Sequence, residues 1–156
     1  MIRTEHEYQR ALASLKRDAE VIEAQRGQLR ERGITGQGVE LALQPMESFR
    51  QQLEEEVRAY ERMKRGQFDV LHSLTGIGQW LIGIRIALGM TQRELAERLS
   101  VSEAQVSRDE RHEYYGITIE RAQRILEAFG TRFRMEIEEP VGGAPLRSSG
   151  AELARA

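Results

Sequence analysis

A chain of 156 residues is long enough for one medium domain or two small ones. Its 23 lysines and arginines stand against 25 aspartates and glutamates, which excludes a protein that coats nucleic acid by bulk positive charge. No cysteine is present, so disulfide frameworks and thiolate metal sites are excluded too.

The first ten residues are polar and lack the apolar core of a signal peptide. The most apolar run, residues 80–88, contains Arg85 and is too short to cross a bilayer. A soluble, cytoplasmic protein is therefore expected, which suits the absence of cysteine.

Residues 1–66 carry an apolar repeat with steps of three and four: Tyr8, Leu12, Leu15, Ala19, Ile22 and Leu29. Gly33, Gly36 and Gly38 interrupt it, and it resumes at Val39, Leu43, Met46, Leu53, Val57 and Tyr60. This is the period of two helices packed along a narrow seam. The short break predicts an antiparallel, coiled-coil-like hairpin that serves as a scaffold or dimerisation element. Arg26 and Arg50 fall on the seam and make it imperfect. Pro45 lies too deep for a first-turn proline, so a kink or a restart is expected there. Gly66 is expected to end the second helix.

Residues 67–130 read as short helices punctuated by glycines. The spacing predicts helices over 77–88, stopped by Gly89, and over 92–99, with Thr91 as cap and Glu94 completing a capping box. Two more are predicted over 103–111, capped by Ser102, and over 119–129, between Thr118 and Gly130. Gly76 and Gly78 have no Lys-Ser or Lys-Thr after them, so they do not form a phosphate loop and read as a hinge. Trp80 reads as a core or interface anchor.

From 131 to 139 the pattern changes to strict alternation. Phe133, Met135 and Ile137 alternate with charged residues, which predicts a short strand with one apolar face. A lone strand needs a partner, and the simplest is the same strand of a second copy. Residues 140–156 are rich in Gly, Ala and Ser and read as a disordered tail. The fold class expected is all-α with one short C-terminal strand.

Chemistry concentrates in residues 91–111. Leu95 and Leu99 stand one turn apart, Ala96 is small where helices must approach, and only Ser100 and Val101 separate one helix from the next cap. Helices joined so tightly must cross steeply. At about 100° per residue, Val106 faces inward. The outward face is then Ala104, Ser107, Arg108 and Arg111, flanked by Glu103 and Gln105. Such side chains can enter and read a major groove. Arg93, Arg98, Arg108 and Arg111 can make a local basic face within a near-neutral chain.

On Thr91, Gln92, Glu94, Leu95, Ala96, Leu99, Val101, Ser102, Val106, Ser107, Arg108 and Glu110, the segment resembles the helix-turn-helix of the phage-repressor (Cro-like, XRE-type) family. The resemblance covers about residues 77–129. It implies a bundle of about five helices, with Gln92 on a DNA phosphate and the helix from Ser102 in the major groove. It also implies an ion pair between Arg85 and Glu110. Two residues depart from the pattern. Ser100 stands where the family has glycine, in a turn that calls for a left-handed residue. Asp109 replaces an apolar residue on the core side of its helix. It is expected to be hydrogen-bonded by Tyr114, Tyr115 or the backbone near Gly116.

The N-terminal hairpin loosely resembles the helical leader of HigA-kind antitoxins, and the terminal strand resembles the strands that pair across HipB-kind dimers. Altogether the sequence predicts a homodimeric, sequence-specific binder of double-stranded DNA, a repressor by occlusion. Its alternative is an antitoxin that neutralises a partner toxin and regulates its own operon. No nucleophile motif stands out, and His6, His72 and His112 are scattered without metal-ligand spacing. No enzyme activity, catalytic residue, metal or cofactor is therefore expected.

Overall fold

The computed structural model describes residues 1–71, 73–131 and 134. Its described residues form six α-helices: α1 Glu5–Glu31, α2 Gln37–Lys64, α3 Ile77–Ala87, α4 Gln92–Leu99, α5 Glu103–Arg111 and α6 Ile119–Phe129. One turn of 3₁₀ helix, Leu74–Gly76, precedes α3. The chain is all-α over this range. The expected strand at Phe133, Met135 and Ile137 and the tail at 140–156 lie outside the described residues, as does His72.

α1 starts on a capping box in which the Glu7 N–H donates to the Thr4 hydroxyl and the Glu7 carboxylate accepts from the Thr4 N–H. It ends before Gly33, at φ 80°. α2 runs back alongside it. Near the loop, the seam residue Arg26 donates to Glu40 at 2.8 Å and Glu47 at 2.6 Å. At the open end Tyr8 stacks on Tyr60 at 5.0 Å, and Lys64 pairs with Glu5 at 2.9 Å. These contacts make the hairpin antiparallel.

Two details of the seam differ from the expectation. Ala11 is buried while Leu12 is exposed, because the inward stripe of a straight helix drifts away from a strict heptad. α2 also runs through Pro45 without a restart. Pro45 is exposed, so the Leu41 carbonyl that loses its N–H partner can be solvated.

The hairpin does not stand apart from the four shorter helices. Ala11, Val57 and Tyr60 share one core with Leu81, Ile82, Leu95, Val106, Ile125 and Phe129, and Ile2 is buried in the same cluster. Ile22, Val39 and Leu43 make a second, smaller cluster near the loop. Gly78 is a packing position and not the expected hinge. A Cβ there would stand 1.8 Å from the Glu113 carbonyl oxygen, so only glycine lets α3 lie against the turn after α5.

Where a bundle of about five helices is expected, the described residues form four α-helices, α3 to α6, with one 3₁₀ turn. Gly130, at φ 69°, closes α6, and among the residues beyond it only Thr131 and Arg134 are described.

Candidate nucleic-acid interface

α4 and α5 form a tight angular pair. Thr91 caps α4: its hydroxyl accepts from the Glu94 N–H at 3.1 Å, and its own N–H donates to the Glu94 carboxylate at 2.7 Å. That backbone bond, with the Thr91 hydroxyl, holds the Glu94 carboxyl below its ordinary range. Ser100 ends α4 in the left-handed conformation, φ 55° and ψ 42°, and Val101 N–H closes the turn on the Ala96 carbonyl at 3.0 Å. The side chain of Ser102 then caps α5 by accepting from Gln105 N–H at 3.2 Å. Serine thus occupies the place where glycine costs least, and the turn keeps its shape.

α5 buries Val106 and Glu110 and leaves Glu103, Ala104, Arg108 and Arg111 exposed, with Gln105 and Ser107 half-buried. Arg108 and Arg111 have no ion-pair partner among the described residues. Arg93 is exposed but paired with Glu97 at 3.0 Å. Arg98 donates to the Ala128 carbonyl at 2.7 Å, near the end of α6, so its charge is committed to the helix terminus.

Beneath this face lies a closed polar centre. Arg85 and Glu110 are both buried, at 2% and 0% exposure, and meet through two hydrogen bonds. Arg85 also donates to the Met90 carbonyl at 2.8 Å and to the Arg3 carbonyl at 2.9 Å. The Gln92 side-chain amide donates to the same Glu110 carboxylate at 2.9 Å. Glu110 thus ties α5 to the last turn of α3 and the first residue of α4, and Arg85 ties in the N-terminal segment.

Asp109 finds partners other than those expected. It pairs with Arg121 of α6 and accepts from the Gln105 amide at 2.7 Å. Tyr114 points into the core, where burial pushes its phenol up, and Tyr115 is 95% exposed. The turn after α5 is tight: Glu113 and Tyr114 both have positive φ, 52° and 53°. Sequence reasoning does not single out the partners Arg121 and Arg3. Both are distant in the chain from what they touch, and neither stands at a helical or strand spacing from it.

Among the described residues, no group of His, Asp and Glu is arranged to hold a metal ion, and no helix is long and apolar enough to cross a membrane. No curated protein and no solved structure matches the chain. Residues 81–134, which run from within α3 past the end of α6, match the family HTH_3, described as Helix-turn-helix, and this part of the chain is therefore a helix-turn-helix domain by similarity.

Proposed function

We propose that this protein is a sequence-specific regulator of transcription that binds double-stranded DNA as a homodimer, with α5 in the major groove. The observation that carries the reading is the exposed α5 face with its two uncommitted arginines, set within a segment that matches a helix-turn-helix domain. A major groove accepts one α-helix, and a guanidinium such as that of Arg108 can bond a guanine through two donors. Ala104 suits a thymine methyl, and Arg111 suits a phosphate or a base edge. The first N–H groups of α4, at Gln92 and Arg93, favour a phosphate. A helix of this length meets only a few base pairs, so two copies on a palindromic site supply the specificity. The near-neutral chain keeps non-specific affinity modest. Repression follows from occupying a promoter.

Selection from a randomised duplex library at fixed salt tests this. The wild type should select a two-fold symmetric site with half-site centres about 34 Å apart. Arg108→Ala should cost about 1–3 kcal/mol there and relax one base position per half-site. If the variant selects the same sequence with the same affinity, α5 is not the reader.

A second reading, neutralisation of a partner toxin, draws on the hairpin. Leu41 and Phe49 of α2 are 73% and 68% exposed, well separated from the α5 face in sequence. In that case Leu41→Ser with Phe49→Ser should release a co-purified partner and leave DNA binding intact.

A further inference from the structure

One face of α2 changes its surroundings along its length. At about 100° per residue, Gly38, Leu41, Ala42, Pro45, Ser48, Phe49 and Gln52 all fall within about 60° of Pro45. Each of these residues is exposed, Leu41 at 73% and Phe49 at 68%. None carries a charge, in a chain whose residues are 31% charged. The charged residues of the same stretch, Glu40, Glu47 and Arg50, stand about 140° or more from Pro45 round the helix, where Glu40 and Glu47 hold Arg26 of α1. Further along, the same face goes under cover. Tyr60 is buried and Met63 packs into the shared core, close enough to α3 that a Cβ on Gly83 would stand 3.5 Å from it. The chain's own bundle thus covers the far end of this face and leaves about four turns, from Gly38 to Gln52, bare.

The bare stripe is complementary to itself. A two-fold contact sets each residue against its counterpart in reverse order, and any charge near the axis meets its own kind. No charge stands here to do so. With the axis at Pro45, two antiparallel copies of α2 set Leu41 against Phe49 of the second copy, and Ala42 against its Ser48. Large residues then fill the contact beside small ones, which lets the helices approach to about 8–10 Å. Pro45 adds a polar match. It has no N–H, so the Leu41 carbonyl lacks its helical donor, and the Ser48 hydroxyl of the second copy stands beside it and can donate. A foreign partner of strong charge finds nothing on this stripe to pair with.

We propose that the stripe of Leu41, Pro45 and Phe49 is the self-association surface of this protein, paired antiparallel with the same stripe of a second copy. The proposal rests on the homodimer read above and names its contact. Tyr60, where each bundle joins, lies about 22 Å from the axis along α2, so the two bundles stand at opposite ends of the pair, about 45 Å apart along it. A contact of about four helical turns is smaller than the roughly 800 Å² per partner of a stable interface, so the free dimer is weak and dissociates in the micromolar range.

Sedimentation velocity of the full chain over a dilution series tests the surface without DNA. The wild type should pass from dimer to monomer on dilution. Leu41→Glu and Phe49→Glu put carboxylates beside the axis and should weaken association at least about tenfold, with helix content by circular dichroism unchanged because both positions are exposed. The chain has no cysteine, so single cysteines report position. Under mild oxidation Pro45→Cys should give a disulfide-linked dimer, and Gln51→Cys, about 120° round the helix, should not. A wild type that stays monomeric, glutamate variants that associate like the parent, or equal cross-linking at both positions overturns the proposal. Variants that lose a co-purified foreign protein and not a second copy overturn it in favour of that partner. None of these outcomes bears on α5: Arg108→Ala in the library selection tests the DNA reading separately, so the two can fail apart.

Discussion

Arg85 and Glu110 are joined in a fork that no solvent reaches, with the Arg85 Nη2 donating to Glu110 Oε2 at 2.6 Å. The arginine has further work, holding the Met90 and Arg3 carbonyls, and the glutamate also accepts from Gln92. Removing one partner strands the other as a buried charge, at a cost of about 3–5 kcal/mol. Arg85→Ala should therefore lower the melting temperature strongly. Arg85→Met with Glu110→Leu removes both charges and should recover part of the loss. Recovery stays incomplete because two backbone carbonyls still lack their donor. If Arg85→Ala melts like the parent, the pair does not support the fold.

Glycines in this chain give a graded test of packing. Gly78→Ala places a Cβ 1.8 Å from the Glu113 oxygen, and both atoms belong to backbone held by neighbouring helices. Overpacking of this kind costs about 1–3 kcal/mol. Gly83→Ala meets the Phe68 ring, which can turn, and should cost less. Gly27 in α1 has nothing within 4 Å, so Gly27→Ala should stabilise by up to about 1 kcal/mol through helix propensity. Thermal melts should rank the three in that order. A Gly78→Ala variant as stable as the parent would mean that α3 does not lie against the turn after α5.

These contrasts mark what the sequence can disclose. The caps Thr91, Ser102 and Thr118 and the stop at Gly130 were legible because each acts on residues within one turn of itself. The inward and outward faces of α5 were legible for the same reason: periodicity is local. Glu110 facing Arg85 came through resemblance to a family and not through spacing. Gly78 against Glu113, Asp109 with Arg121, and Arg85 with the Arg3 carbonyl join places 12 to 82 residues apart. Nothing in composition or period encodes such pairs. Even on the hairpin, the choice of Ala11 over Leu12 for burial needed the real pitch of the helix.

Alkali gives a separate view of the joint between hairpin and bundle. Burial, then the Glu5 charge, pushes the Tyr60 phenol up from 10.0 to about 12. A raised pKa favours the neutral phenol in the folded state. Its contribution is fully present below pH 10.0 and is lost as pH rises through about 12. Tyr60→Phe cannot ionise and gives up only the bond to Glu5, at 3.3 Å. It should melt slightly below the parent at neutral pH and lose less stability on passing into this alkaline window. Tyr8, raised by its bond to Glu61, and Tyr114, raised by burial, keep some alkaline loss in both proteins. Melting curves that fall in parallel from neutral pH to pH 12 would show that Tyr60 does not contribute to the dependence.

Asp109 connects the core side of α5 to the face proposed to read DNA. Its carboxylate pairs with Arg121 on α6 and, through its other oxygen, accepts from the Gln105 amide one turn earlier on α5. The pair is partly exposed, at 20% for Asp109 and 31% for Arg121, so its loss should cost no more than about 1 kcal/mol. The effect on recognition should be larger than the effect on stability. Gln105 is now held in one orientation, and a held side chain discriminates among bases better than one that must be ordered on binding. Asp109→Ala should thus leave the domain folded and relax base preference at the position Gln105 faces, without touching the position set by Arg108. Asp109→Asn retains an acceptor for Gln105 and should keep most of that preference. Library selection with the two variants beside Gln105→Ala separates these outcomes. If Asp109→Ala alters affinity for every duplex alike and Gln105→Ala does nothing, Asp109 only braces α5 against α6, and Gln105 takes no part in reading.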